Sequence, residues 1–200
     1  MRAWVRAAVG VLCAAGLTGC GIRSTSVPTD FGPAPSKAPC ALSGPTVEAQ
    51  PVQGLPVQVF LVCASQLVTV DRLVHIPSGN GSTDRVQVAQ ALIDQLAEKP
   101  AESESQAGYT SDVRGGMAVS GPRHGEPDGT LRLGTSPSRL GSYALAQVVC
   151  TLAMSSAADE DGTVILGGPG DEQLRRYHCT SQVRARPGSS EPSSAPVGKP

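Results

Sequence analysis

The chain has 200 residues and a formal net charge of −1, with 16% charged and only 3% aromatic residues. This balance argues against general affinity for nucleic acid, which needs concentrated positive charge. The length suffices for one domain of ordinary size with its own apolar core.

The first twenty residues predict export. Arg2 and Arg6 form a basic start, and an apolar stretch at residues 7–17 is followed by two small residues and Cys20. That order is typical of a secretory signal. The stretch is much shorter than the roughly 20 residues that cross a bilayer, so a membrane-spanning helix is not expected.

The run Leu-Thr-Gly-Cys that ends at Cys20 resembles the lipobox of bacterial lipoproteins. The resemblance implies that the signal peptide, residues 1–19, is removed and that Cys20 carries acyl chains of the palmitate type. The membrane is then a partner through this lipid anchor, which holds the protein on the extracytoplasmic face of the cell membrane. Residues 20–39 are rich in Ser, Thr, Pro and Gly and are predicted to be a flexible tether.

Four cysteines remain after Cys20, namely Cys40, Cys63, Cys150 and Cys179. An even number of cysteines in an oxidising compartment predicts two disulfide bonds, and four cysteines allow three pairings. We weakly favour Cys63 with Cys150 and Cys40 with Cys179, because the second bridge would join the two ends of the domain and close a long loop. The other pairings stay open.

The first predicted elements are a hairpin and a helix. Residues 57–62 alternate in character, as in a largely buried strand, and residues 67–76 form a second extended run after a short connection. Asp84 is a candidate cap for a helix that ends near Lys99. The apolar stripe of this helix consists of Ala89, Leu92, Ile93 and Leu96.

The second half of the domain predicts further strands around one helix. Short strands at 117–120 and 130–133 flank a loop rich in Gly and Pro. Ser138 is a candidate cap for a helix whose apolar face comprises Leu145, Val148, Val149 and Leu152. A strand is expected at 163–166 and an edge strand at 182–186. The order predicts an α+β fold over residues 40–186, a small mixed sheet with two helices packed on one face, followed by a disordered tail at 187–200.

This order resembles the GerMN domain, a module of the sporulation and spore-germination type found in many bacterial lipoproteins. The chain departs from the family at Lys99-Pro100, where the family has a Gly-Pro turn, and at the weakened strand end 132–134. The resemblance implies binding or scaffolding in the cell envelope, with a protein partner or a second copy, and it supplies no active site. The matching pieces are residues 57–62, 67–70, 86–97, 92–113, 131–133, 143–149 and 164–166.

Two loops offer weak signals for chemistry. The loop at 121–129 contains His124 with two carboxylates, yet no G-x-S-x-G elbow marks a serine nucleophile. The turn at 167–171 follows a strand and offers backbone N–H groups to an anion, but it lacks the lysine of a P-loop. A solvated loop and a plain turn are the favoured interpretations.

Metal sites are also disfavoured. His178 and Cys179 have ligand chemistry suited to zinc, but no C-x-x-C motif accompanies them. The acidic residues Glu98, Glu102 and Glu104 lack the ordered spacing of a calcium loop. His75 belongs to no motif, so no metal and no cofactor is predicted.

The late part of the chain is basic, which is an alternative signal for contact with anionic headgroups or wall polymers. Its arginines are Arg175, Arg176, Arg184 and Arg186. Together these features predict a non-enzymatic, membrane-tethered envelope lipoprotein. The alternatives are a ligand-binding accessory lipoprotein for cell-wall or transport machinery and, less favoured, a cryptic hydrolase.

Overall fold

The computed structural model describes residues 39–41, 54–76 and 82–198. The signal peptide, Cys20 and residues 20–38 of the tether lie outside these ranges. In chain order the elements are β1 (Leu55–Cys63), β2 (Gln66–Val74), α1 (Ser82–Ala97), α2 (Glu102–Gln106), β3 (Val119–Ser120), β4 (Thr130–Leu133), a 3₁₀ turn (Pro137–Arg139), α3 (Ser142–Ala153), β5 (Thr163–Gly167), β6 (Arg175–His178), α4 (Ser181–Ala185) and β7 (Ser194–Pro196).

The predicted hairpin is confirmed. β1 and β2 pair antiparallel along all nine residues of each strand. The connection consists of Ala64 and Ser65, which have φ values of 48° and 62°. Two successive positive φ angles are the signature of a type I′ turn, whose twist matches that of the flanking strands. This turn fixes the register and places Cys63 opposite Gln66.

The stripe predicted for the first helix is also confirmed. Ala89, Leu92, Ile93 and Leu96 are all buried in the main core, and α1 lies against β1. The helix begins at Ser82, so Asp84 lies in its first turn and is not its cap. It ends at Ala97, three residues before Pro100, in agreement with the restriction that a proline imposes on the residue preceding it.

α3 is the central helix of the domain. It contacts β1 of the hairpin as well as β5 and β6. Its residues 144–152 are all buried. The apolar face predicted for this helix is therefore confirmed, but the predicted cap is wrong. Ser138 lies in the 3₁₀ turn that starts at Pro137, and α3 starts only after Gly141.

The α+β fold is confirmed as a five-stranded mixed sheet with helices packed against it. The sheet order is β3-β4-β5-β6-β7, with β4 and β5 parallel and all other neighbours antiparallel. The β1–β2 hairpin forms a separate two-stranded sheet. No helix of the described residues is long and apolar enough to cross a membrane.

Side chains replace the strand that would otherwise pair with β1. Gln147 Nε2 donates to the carbonyl of Phe60 at 2.9 Å, and the Phe60 N–H donates to Thr151 Oγ1 at 3.0 Å. Gln147 and Thr151 are one turn apart on α3 and both are fully buried. They satisfy the outward-facing backbone groups of Phe60, and the backbone of Thr110 pairs with that of Val62, so the hairpin joins α3 without entering the larger sheet.

Two predictions for the end of the chain are wrong. Residues 181–185 form α4, not an edge strand, because Thr180 caps the segment by accepting a hydrogen bond from Val183 N–H at 3.2 Å. The tail is ordered at least to residue 198, and its strand β7 pairs with β6. The Val197 N–H donates to the carbonyl of Leu174 at 2.9 Å, which extends this pairing.

Two disulfide bonds are present, but the favoured pairing is wrong. Cys40 is bonded to Cys63, and Cys150 is bonded to Cys179. Topology decides the pairing: the Cys40 N–H donates to the carbonyl of Ala107, and Tyr109 donates to the carbonyl of Cys40, which holds Cys40 beside the end of β1. Each bridge therefore connects segments that are neighbours in the fold, and neither joins the two ends of the domain.

Tryptic mapping without reduction is expected to distinguish the pairings. No Lys or Arg lies between residues 38 and 71, so peptide 38–72 holds both Cys40 and Cys63, whereas Cys150 and Cys179 lie on peptides 140–175 and 177–184. We expect an internally bridged peptide 38–72 and a separate linked pair of the other two. Either pairing that joins Cys63 to one of the other peptides would instead link all three peptides, which would contradict the structure.

Candidate functional site

The two loops singled out in the sequence converge on Arg132 of β4. Only 5% of Arg132 is exposed. Its Nε donates to Glu126 at 3.0 Å and its second terminal nitrogen also binds Glu126, while the first donates to the carbonyls of Gly168 and Gly170 at 2.5 and 2.7 Å. Arg132 thereby joins the 121–129 loop to the 167–171 turn.

Arg123 reinforces this connection from the surface. Its guanidinium donates to Asp171 at 2.9 Å and to the carbonyl of Gly170 at 3.1 Å, and it also binds the carbonyl of Pro169. The carbonyl groups of the turn therefore face cations. The anion site considered as the less favoured interpretation of 167–171 is not formed, because the turn presents acceptors where an anion would need donors.

The two arginines, Arg132 and Arg123, hold Glu126 in its ionised form. Hydrogen bonds from Arg132 are the main cause that lowers the pKa of Glu126 from 4.5 to about 2; the Arg123 N–H and the nearby guanidinium charges also lower it, and partial burial opposes them. A carboxylate with this pKa is not a proton donor near neutral pH. Glu126 instead has a structural role, because its ion pair with Arg132 holds the 121–129 loop against the 167–171 turn. We call this ion pair the lock.

A Glu126→Gln variant is expected to change the acid dependence of stability. Because the folded-state pKa is depressed, the ionised pair stabilises the fold fully above about pH 4.5 and loses its effect as the pH falls toward 2. Chemical unfolding should therefore show a destabilised variant at pH 7 and a difference from wild type that narrows below pH 4.5. The exposed Glu98→Gln variant is the control, and a difference that stayed constant from pH 7 to 2 would contradict the assignment.

His124 lies at the rim of a cavity of about 510 Å³ beside this lock. The side chain is exposed, and no hydrogen bond or ion pair joins it to a carboxylate in the described part of the chain. A hydrolase would require such a pairing to orient the base near a nucleophile. The chemistry-bearing residues next to it, Glu126 and Arg132, are already bonded to each other.

Two of the candidate metal ligands, Cys179 and Glu104, are already bonded to other residues. Cys179 is in a disulfide, which removes the zinc interpretation for His178 and Cys179. Glu104 is buried and forms a two-point ion pair with Arg72 at 2.6 and 2.7 Å, so the calcium interpretation is wrong for this residue. Burial raises the pKa of Glu104, but the bonds from Arg72 and the Ala101 N–H outweigh it and the net pKa is lowered. Among the described residues, no group of three potential ligands is arranged for a metal.

Two of the four arginines in the late basic region are bonded to other side chains. Arg175 binds Ser194 at 2.8 Å, and Arg176 binds Asp159 at 2.7 Å. Arg184 and Arg186 are exposed on and after α4. Asp159 therefore partly neutralises the charge of Arg176, whereas the bond of Arg175 to a neutral serine leaves its charge in place.

A groove that sequence reasoning missed lies between the 111–117 segment and the start of α3. Its volume is about 690 Å³. Arg114 and Arg139 lie on its rim. Both are exposed, and neither guanidinium group has a hydrogen bond or ion pair with another described residue. No motif reveals this pair, because the two arginines are 25 positions apart in the sequence.

A second open feature is the outer edge of β2. The register of the hairpin directs the backbone groups of Leu67, Thr69, Asp71 and Leu73 away from β1. No further strand of the described residues pairs with this edge. α4 lies against β2 and, with Leu67 and Thr69, lines a shallow depression, whereas Leu73 is 53% exposed. The edge is therefore accessible toward Leu73.

The tandem GerMN domains of the sporulation protein GerM from Bacillus subtilis are a similar solved structure. The TM-score is 0.44 and the sequence identity is 17%, with 78% of this chain and 49% of that chain covered. The chain thus spans about half the length of that structure. No protein-family profile matches this chain, and no curated protein matches its sequence.

Proposed function

We propose that the protein is a lipoprotein tethered to the extracytoplasmic face of the cell membrane, whose single GerMN-like α+β domain acts by binding and not by catalysis. The lipobox at Cys20 supports the tether. The hairpin, α1 and the β4-α3-β5 order support the GerMN-like assignment, because they coincide with the pieces of sequence that resemble that family. A sporulation-related envelope role is the biological setting that this resemblance implies.

The observation that carries the binding role is the open edge of β2. β2 has nine residues, and no strand of the described part of the chain pairs with its outer edge. Such a length is unusual for a feature that proteins normally protect. An extended segment of a partner can add to such an edge, with main-chain hydrogen bonds supplying affinity. Self-pairing about a two-fold axis at Asp71 would place two carboxylates opposite each other, which disfavours a second copy at that register.

Site-specific photocrosslinking in intact cells tests the binding surface. A photoreactive residue at Leu73 is expected to capture a discrete partner, whereas the same residue at Met154, which is 57% exposed, serves as the matched control. Thr69→Pro should abolish the crosslink while preserving the hairpin, since the Thr69 N–H points outward and donates to no bond of the hairpin ladder. Equal capture from both positions, or capture that survives Thr69→Pro, would contradict edge pairing.

Intact mass of membrane-extracted protein tests the tether separately. The expected mass corresponds to a chain that begins at Cys20 and carries acyl chains, and a Cys20→Ser variant should leave the membrane fraction. Recovery of an unacylated wild-type chain would overturn the localisation without bearing on the β2 edge.

A further inference from the structure

The groove beside α3 combines features that the β2 edge does not share. Its lining includes Val113, Met117 and Ala144, which are buried and apolar. The exposed guanidinium groups of Arg114 and Arg139 stand at its rim. The lining as a whole is mixed, with polar groups beside these apolar ones. The volume falls within the roughly 300–1,000 Å³ that is typical of small-ligand sites.

Charge defines the ligand class. The lining contains two arginines and one acidic residue, Asp112, so the formal charge of the groove is positive by one unit. This excess matches a monoanion better than a multiply charged phosphate. Guanidinium groups bind carboxylates through paired, charge-assisted hydrogen bonds. The apolar part of the lining in turn suits an aliphatic part of the same ligand.

The walls of the groove are held by bonds to the core. The Asp112 N–H donates to Gln147 Oε1 at 2.8 Å, which ties one wall to α3. The carbonyl of Met117 accepts from Gln90 of α1 at 3.2 Å, and the Arg139 N–H donates to the carbonyl of Ser136 at 2.9 Å. Because these bonds fix the backbone on both sides, little conformational entropy is lost when a ligand enters.

We propose that this groove binds an apolar monocarboxylate, such as the free carboxyl end of a short aliphatic peptide, between Arg114 and Arg139. The carboxylate meets the guanidinium groups at the rim, and the aliphatic part covers Val113 and Met117. This binding site is separate from the β2 edge and extends the proposed function, since one tethered domain then carries two distinct binding surfaces.

Calorimetric titration of the full chain in detergent micelles tests this inference. The probes are N-acetyl-Ala-Ala with a free carboxylate, the same dipeptide as its C-terminal amide, and inorganic phosphate. We expect the free acid to bind and the amide to bind at least about tenfold more weakly, because the amide removes the charge. Equal binding of acid and amide, tighter binding of phosphate, or no saturable binding of the acid would overturn the proposal.

Variants locate the site. Arg114→Gln/Arg139→Gln should weaken binding of the acid by about tenfold or more and leave the weak amide binding unchanged. Arg184→Gln is the matched control, because Arg184 is an exposed arginine outside the groove. All three substitutions lie at exposed side chains, so the circular dichroism spectrum and the melting temperature should be retained. An equal loss in the control variant would contradict the assignment, and the crosslink at Leu73 should persist in every case.

Discussion

A Gln147→Met variant is expected to lose roughly 2–4 kcal/mol of unfolding free energy, since burying a backbone group without its partner costs about 1–3 kcal/mol. Methionine keeps the length of the side chain but makes no hydrogen bonds to the Phe60 carbonyl and the Asp112 N–H. The first of these groups is buried against α3. The second lies nearer the surface, where water offsets part of its loss.

Urea unfolding followed by circular dichroism measures this effect. Gln182→Met on α4 is the matched control, because its side chain is exposed and the same chemical change there removes no buried bond. We expect the control to remain within about 0.5 kcal/mol of wild type. A similarly small change at Gln147 would show that its hydrogen bonds contribute little to holding the hairpin.

Removal of the bridge between α3 and the segment after β6 is the second large effect. A Cys150→Ala/Cys179→Ala variant is expected to be destabilised by roughly 3–4 kcal/mol, because the two cysteines are 29 positions apart and the bridge restricts the unfolded chain over that length. Loss of packing around the fully buried Cys150 adds to this cost. Thermal and urea unfolding under non-reducing conditions measure it.

The other bridge provides an internal comparison. Cys40 and Cys63 are 23 positions apart, so loop length alone predicts a nearly equal cost for Cys40→Ala/Cys63→Ala. Cys40 is only partly buried, however, and we expect this second variant to lose less. A Cys150/Cys179 variant that unfolded within 1 kcal/mol of wild type would show that this bridge contributes little beyond the surrounding core.

The parts of the fold that the sequence predicts are those with a local signal. Alternation in β1 and the four-residue stripe of α1 report directly which side chains face the core. β6 was missed because its sequence is Arg-Arg-Tyr-His, in which only Tyr177 is buried. The five residues of α4 are too few to show helical periodicity, so the sequence predicts a strand there. The helix that forms instead depends on the cap at Thr180.

The candidate site depends on contacts that no local pattern encodes. In the sequence Arg132 is one residue of a short predicted strand, but in the structure its side chain connects two loops. The groove is formed by the 111–117 segment and residues 135–144, which the packing of α3 brings together. The disulfide pairing likewise follows the topology and not the loop lengths, which is why the favoured alternative failed.

β7 has a consequence for how the edge of the sheet is protected. It contains only three residues, and its last one, Pro196, has no N–H group to offer a further strand. The domain therefore ends its sheet with a poor template for aggregation. Because β7 pairs with β6, the outer edge of β6 stays uncovered in any form of the chain that lacks residues 194–196. A chain truncated shortly after His178 is therefore exposed to edge-to-edge association, and residues 194–196 protect the domain against it.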